Sequence, residues 1–363
     1  MATMESVHRL MQTAVEQGIF PGAVLLVADA HAVVFKRAYG YADLFSGRAV
    51  AEDTLFDLAS LTKPLATALA VMTLVRNGRL DLDTPCVNAC PELAGTDKTA
   101  VTPRDLLMHR SGLPPWRPYF MRLRHLPSHD RLAGLRRCLV EEPLIAAPGE
   151  RSDYSDLGFM LLHWLVERLA GEPLELFIRR HVYQPLGIRD LFFNDLRRGG
   201  VTPQKYAATQ LCPWRNRLMV GTVDDDNAWI SGGIAGHAGL FGTADAVGRL
   251  LTALLAADRG DATRGVFDPE LVRSFFHADP QERWALGFDT PSRQGSSAGR
   301  FYPSDSVGHL GFTGTSFWVH RRRGVITVLL TNRVHPWRYN AGIKAFRPRL
   351  HDAVMEAIGT AYE

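Results

Sequence analysis

The chain has 363 residues, 46% hydrophobic and 22% charged, which is enough for a sizeable core and two lobes. Its 41 basic and 38 acidic residues leave a net charge of only +3, excluding the strong field of a nucleic-acid or anionic-lipid binder. The expectation is a globular protein that handles a small, uncharged or weakly polar molecule.

The first twenty residues read as an amphipathic helix with Val7, Leu10, Met11, Ala14 and Val15 on one stripe. They lack a basic start followed by an apolar run, so the expected compartment is the cytoplasm. No apolar stretch approaches the ~20 residues of a membrane span. After a Gly18/Pro21 break, GAVLLVADA (22–30) and AVVFKRAYG (32–40) predict a β-hairpin.

Next comes Ser60-Leu61-Thr62-Lys63, opening LTKPLATALAVMTLVRNGRL, whose apolar spacing predicts one helix closed by Asn77-Gly78. Residues three apart on a helix share a face, so Lys63 is expected beside Ser60 Oγ, where an amine could activate the hydroxyl. Pro64 is tolerated there because first-turn N–H groups have no intrahelical partner. Those free N–H groups and the positive helix end also favour a developing oxyanion. By itself the tetrapeptide fits a helix N-cap equally well.

Cys86, Cys90, Cys138 and Cys212 form no metal or disulfide framework and read as buried free thiols; no metal and no cofactor is expected. TPRDLLMHRSGLPPW (102–116) starts a helix with Thr102 as cap and Pro103 at its first position. Tyr154-Ser155-Asp156 leads into an apolar helix, 157–169, and another helix follows Asp245. Gly295-Ser296-Ser297-Ala298-Gly299 matches Gly-x-Ser-x-Gly but sits in a polar loop without the strand that motif needs. His309 to Thr315, HLGFTGT, precedes SFWVH (316–320), an Arg321-Arg322-Arg323 turn, VITVLLTN (325–332) and a closing helix with Leu350, Val354 and Ile358. The fold class is therefore α/β of the α+β type: an antiparallel sheet built from both chain ends and flanked by helices, with an inserted, mostly helical lobe. The sheet lobe is expected at 1–80 and 240–363 and the helical lobe at 81–239, with a cleft between them.

With these elements in order, the chain resembles the penicillin-recognising serine hydrolases of the class C β-lactamase type, which include D-alanyl peptidases and carboxylesterases. Such proteins carry Ser-x-x-Lys, Tyr-x-Asn and Lys/His-Thr-Gly at separations like those between 60, 154 and 309. LLMHRSGLP, VDDDNAWISGGIAGHAGLFGTA (223–244) and LLTNRVHP extend the likeness over nearly the whole chain. The resemblance implies Ser60 as acylated nucleophile, Lys63 as its proton partner, Tyr154 as acid/base, and the Ser60 and Phe312 backbone N–H groups as oxyanion hole. A free Lys titrates near ~10.4, so only about one in a thousand is neutral near pH 7.4, and whether Lys63 or Tyr154 is the base stays open.

Asp156, His309, Leu310 and Gly311 are the expected substrate-binding positions, and two of the motifs depart from the family pattern. Asp156 replaces the usual Asn and either pairs with Lys63 or caps the helix at Leu157. Leu310 replaces Thr, and His309, a group titrating near ~6.5, replaces the permanent cation of many members. Both changes weaken recognition of a substrate carboxylate, so small esters or amides are favoured over β-lactams and D-alanyl peptides. A non-catalytic, ligand-binding member of the fold is a further alternative. His109 and His237 read as structural, Asp224-Asp225-Asp226 as a loop anchored to the cleft rim, and Trp116, Tyr119 and Phe120 as acyl pocket or core.

Overall fold

A computed structural model describes residues 3–199, 201–261, 263, 265–279 and 282–359. Its strands are β1 (Gly22–Ala28), β2 (Val33–Asp43), β3 (Arg48–Ala49), β4 (Phe56–Asp57), β5 (Leu191–Phe193), β6 (Ala208–Cys212), β7 (Arg217–Val220), β8 (Leu240–Gly242), β9 (Val307–Leu310), β10 (Ser316–His320) and β11 (Val325–Thr331). The main sheet has the order β3-β2-β1-β11-β10-β9, all antiparallel. The two chain ends meet at its centre, where Ala23 pairs with Thr331 and Ala28 with Ile326.

Side chains alternate across a strand, and here both faces are covered, which is why β1 and β11 read as continuous apolar runs. Ala23, Leu25 and Val27 join Leu329 under the terminal helices Met4–Glu16 and Ile343–Gly359, against Met11, Phe346 and Leu350. Val24, Leu26 and Ala28 join Val328 and Leu330 in the larger core on the other face, with Val247 and Leu251 of helix Ala244–Asp258. Each such Leu contributes roughly 1.5–3 kcal/mol of burial.

The middle of the chain is helical around Asp156–Ala170, whose residues Leu157 to Val166 are all buried. It also carries two small sheets absent from the expectation, β4-β8-β5 and the β6-β7 hairpin. No helix among the described residues is long and apolar enough to cross a membrane. All four cysteines are free and buried.

The helix expected from Leu61 differs in detail: a 3-10 turn (Ala59–Leu61) passes into a π-helical turn (Lys63–Ala68), and regular α-helix begins only at Leu69. Two causes are visible. Pro64 has no N–H to give. The Tyr183 hydroxyl donates to the Leu65 carbonyl at 2.7 Å, and the Leu69 N–H that would ordinarily use that carbonyl turns to Ala66. Such π turns inside helices commonly occur at functional sites.

Candidate active site

Ser60 sits on a tensioned turn. Ala59, just before it, has φ +47°, a left-handed conformation that costs a residue with a Cβ. Four hydrogen bonds hold this conformation. Asp57 Oδ1 accepts from the Ala59 N–H at 2.9 Å and Oδ2 from the Asp224 N–H at 2.7 Å. The Thr313 and Thr315 hydroxyls donate to the Asp57 and Leu58 carbonyls at 2.7 and 3.1 Å, tying the β9–β10 turn to the serine turn. A Cβ on Gly311 would lie 2.0 Å from Thr315 Oγ1 and 2.8 Å from the Leu58 carbonyl oxygen, so only glycine fits there.

Ser60, Tyr154, Asp156, His309, Leu310, Gly311 and Phe312 all line one cleft of about 850 Å³. Lys63 lies fully buried beneath it, and its ammonium donates to Ser60 Oγ at 3.0 Å, Asp156 Oδ1 at 2.6 Å and the His237 carbonyl at 3.2 Å. Asp156 therefore pairs with Lys63, and the cap is Ser155, whose side chain accepts from the Gly158 N–H. Burial works against the Lys63 charge, but Asp156 and Tyr154 outweigh it and raise its pKa. Tyr154 lies with its ring centroid 4.8 Å from Lys63 Nζ. Burial pushes the phenol up, against the Lys63 charge and hydrogen bonds from Lys63 and Ser60. The Phe312 ring is half-exposed under the Arg333 guanidinium, and among the described residues its N–H meets no backbone acceptor.

His309 corrects the expectation of a group titrating near 6.5. It is buried in an aromatic wall with Tyr154 and Trp284, and burial with the nearby Lys63 charge pushes it down to about 3. At neutral pH it is an uncharged imidazole. His109, at φ +56°, belongs to the same wall; its Nδ1 accepts from the Ser155 N–H, and burial keeps it far below its ordinary value. An imidazole depressed in the folded state binds fewer protons there than in the unfolded chain, so stability is lost as pH falls from about 6.5. Urea melts between pH 7 and pH 4 are expected to lose on the order of 1.4 kcal/mol per pH unit for each such histidine, and His309→Gln is expected to lessen that slope. An unchanged slope in the variant contradicts this assignment.

The 224–227 segment fastens several parts of the chain to the cleft rim. Asp224 and Asp226 pair with Arg338, Asp226 also with Arg215, and Asn227 holds the Phe120 N–H and the Arg117 carbonyl. Asp225 accepts from the Ala228 N–H and pairs with His237 Nε2 at 2.9 Å. Asp156, Asp225 and His237 bring three donor atoms within 4.8 Å of one another, but the cation facing this cluster is already the Lys63 ammonium. Trp116 lines the cleft, whereas Tyr119 bonds Glu142 and Phe120 stacks on Trp214.

Sequence reasoning missed Arg347. It is buried at the cleft floor, donating to the Gly311 and Thr315 carbonyls at 3.1 and 2.7 Å. Its signal is a cation falling on the buried stripe of the closing helix, between Phe346 and Leu350. Trp284 and Arg333, also on the cleft, carry no such signal.

The Beta-lactamase family model matches residues 7–347. An N-acetylmuramyl-L-alanine amidase of Bacillus subtilis (strain 168) is 30% identical over 92% of this chain and 81% of its own length. A Salmonella paratyphi A protein provisionally named D-alanyl-D-alanine carboxypeptidase is 30% identical over 91% of this chain and 83% of its own. Among solved structures, EstCE1, a hydrolase with promiscuous acyltransferase activity, superposes with TM-score 0.75 at 23% identity, covering 97% of this chain and 98% of that one. A penicillin-binding protein homolog from Caulobacter crescentus gives TM-score 0.75 at 22% identity over 97% and 96%. At such identities these two establish the fold.

Proposed function

Because the chain belongs to the Beta-lactamase family, we propose that it is a serine hydrolase that forms an acyl-enzyme at Ser60 and acts on small esters or amides. The observation carrying this is Lys63 Nζ at 3.0 Å from Ser60 Oγ, with Tyr154 and the free Phe312 N–H on the same cleft. Ser60 Oγ attacks the carbonyl carbon, and the Ser60 and Phe312 N–H groups hold the oxyanion. Tyr154, a neutral phenol, protonates the leaving group and is restored by the proton that Ser60 gave up; water then attacks the acyl-enzyme, and its proton goes to Ser60 Oγ as the acid leaves. Neutral His309 and apolar Leu310 supply no charge for a substrate carboxylate, which favours substrates without one.

A second reading is favoured by a specific observation at the other side of the cleft. The side-chain hydrogen bonds of Arg333 and Arg347 all go to carbonyls among the described residues, and burial together with the Arg333 charge pushes Arg347 down to about 9. A substrate carboxylate would relieve that repulsion, as a D-alanyl peptide or β-lactam would provide. One comparison separates the readings: a short-chain p-nitrophenyl ester, a chromogenic cephalosporin, and a D-alanyl-D-alanine peptide with its terminal carboxylate free or methylated. The first reading predicts the p-nitrophenyl ester fastest and little effect of methylation. A free acid preferred by more than about tenfold, roughly 1.4 kcal/mol, with the preference falling as salt rises, establishes the second.

A further inference from the structure

Activating Ser60 requires a base, and the two groups beside it, Lys63 and Tyr154, both hold their protons in the resting site. Lys63 donates to Ser60 Oγ, Asp156 Oδ1 and the His237 carbonyl as an ammonium, whose nitrogen has no lone pair to offer. Tyr154 is held as the phenol. The His237 ring is bonded to Asp225, the His309 ring to the Leu310 carbonyl and the His109 ring to the Ser155 N–H; the second nitrogen of each ring is without a partner, and none of the three is bonded to Ser60. The carboxylate joined to the serine through a single ammonium is Asp156, 2.6 Å from the same Lys63 Nζ that meets Ser60 Oγ.

We propose that Asp156 is the terminal proton acceptor of acylation, drawing the Ser60 proton through Lys63. This rests on the acyl-enzyme reading above. As Ser60 Oγ bonds the carbonyl carbon, its proton passes to Lys63 Nζ while a Lys63 proton passes to Asp156 Oδ1, and the carbonyl π pair moves onto the oxyanion. Lys63 stays an ammonium throughout, and Asp156 becomes the neutral acid. When the oxyanion collapses, the bond to the leaving group breaks and the Tyr154 phenol protonates it. The proton on Asp156 then returns through Lys63 to the tyrosinate, restoring every group.

Bound substrate assists the transfer. Asp156 is 18% exposed and lines the cleft, so the charged pair owes part of its stability to water that a substrate displaces. The usual Asn accepts the same hydrogen bond but cannot hold the proton. Other groups facing the pair are Tyr154, His109, His309, Asp225 and His237, with Arg283 farther out. His109 and His309 are uncharged at neutral pH. At Asp225 burial works upward, but the His237 charge and hydrogen bond outweigh it and keep it an anion.

The test is the burst rate of acylation by p-nitrophenyl acetate from about pH 5 to pH 10. Wild type is expected to hold a plateau through neutral pH. Asp156→Asn should acylate about 10²–10⁴-fold more slowly at pH 7 and recover in alkali, because Lys63 must now lose its proton to solvent. In Asp156→Ala, formate should restore the rate at least about tenfold by occupying the vacated carboxylate position. Asp156→Asn decides when its melting curve matches wild type, and formate rescue decides otherwise. A wild-type rate and pH profile in Asp156→Asn, or a loss equal at every pH, overturns the proposal, as does absence of rescue where rescue decides. A wild type that never acylates Ser60 overturns the hydrolase reading instead.

Discussion

Ser60→Ala is expected to lower turnover by about four to six orders of magnitude while changing substrate affinity by no more than about threefold. The hydroxyl is the only atom lost, and the groups around it stay in place. The turn is fixed by Asp57, Thr313 and Thr315, none of which bonds the serine side chain. Lys63 keeps two of its three acceptors, so folding stability should change by no more than about 1 kcal/mol. Steady-state kinetics with equilibrium binding of the same ester check both halves. A variant retaining a tenth of wild-type turnover would place the nucleophile elsewhere.

Lys63→Met is expected to remove both activity and stability. The amine touches the serine, so turnover should drop by about 10³–10⁴-fold. Lys63 is buried, and removing it leaves the Asp156 carboxylate without its counter-ion. Breaking a buried pair from one side costs about 3–5 kcal/mol, and the partial exposure of Asp156 puts this case at the lower end. Adding Asp156→Leu should return most of the lost stability and none of the rate, since an apolar pair replaces an orphaned charge. Urea midpoints and burst amplitudes for the three variants check this; a Lys63→Met protein as stable as wild type would mean that Asp156 has another partner.

What the sequence made legible is what short-range chemistry determines. GAVLLVA and VITVLLT announced buried strands because both faces of the central sheet are covered. The three-residue spacing of Ser60 and Lys63 survives the change from α to 3-10 and π geometry, because one turn of any of these helices brings both side chains to the same side. The π turn itself depends on Tyr183, distant in sequence, so no local pattern predicts it. The strands of the β4-β8-β5 sheet are too short to show a two-residue period. The role of Asp156 turned on whether its neighbour Ser155 took the cap, which the sequence leaves open because both residue types cap well. His309 looked ionisable because burial by Tyr154 and Trp284 comes from chain segments far from it.

The most direct measurement is intact mass, followed by peptide mapping, after incubation with a fluorophosphonate. Wild type is expected to carry a single covalent adduct, with fluoride expelled and the phosphonyl group on Ser60, and Ser60→Ala to carry none. An unlabelled wild type, or a Ser60→Ala protein labelled to the same extent, would contradict the assignment of Ser60 as the nucleophile.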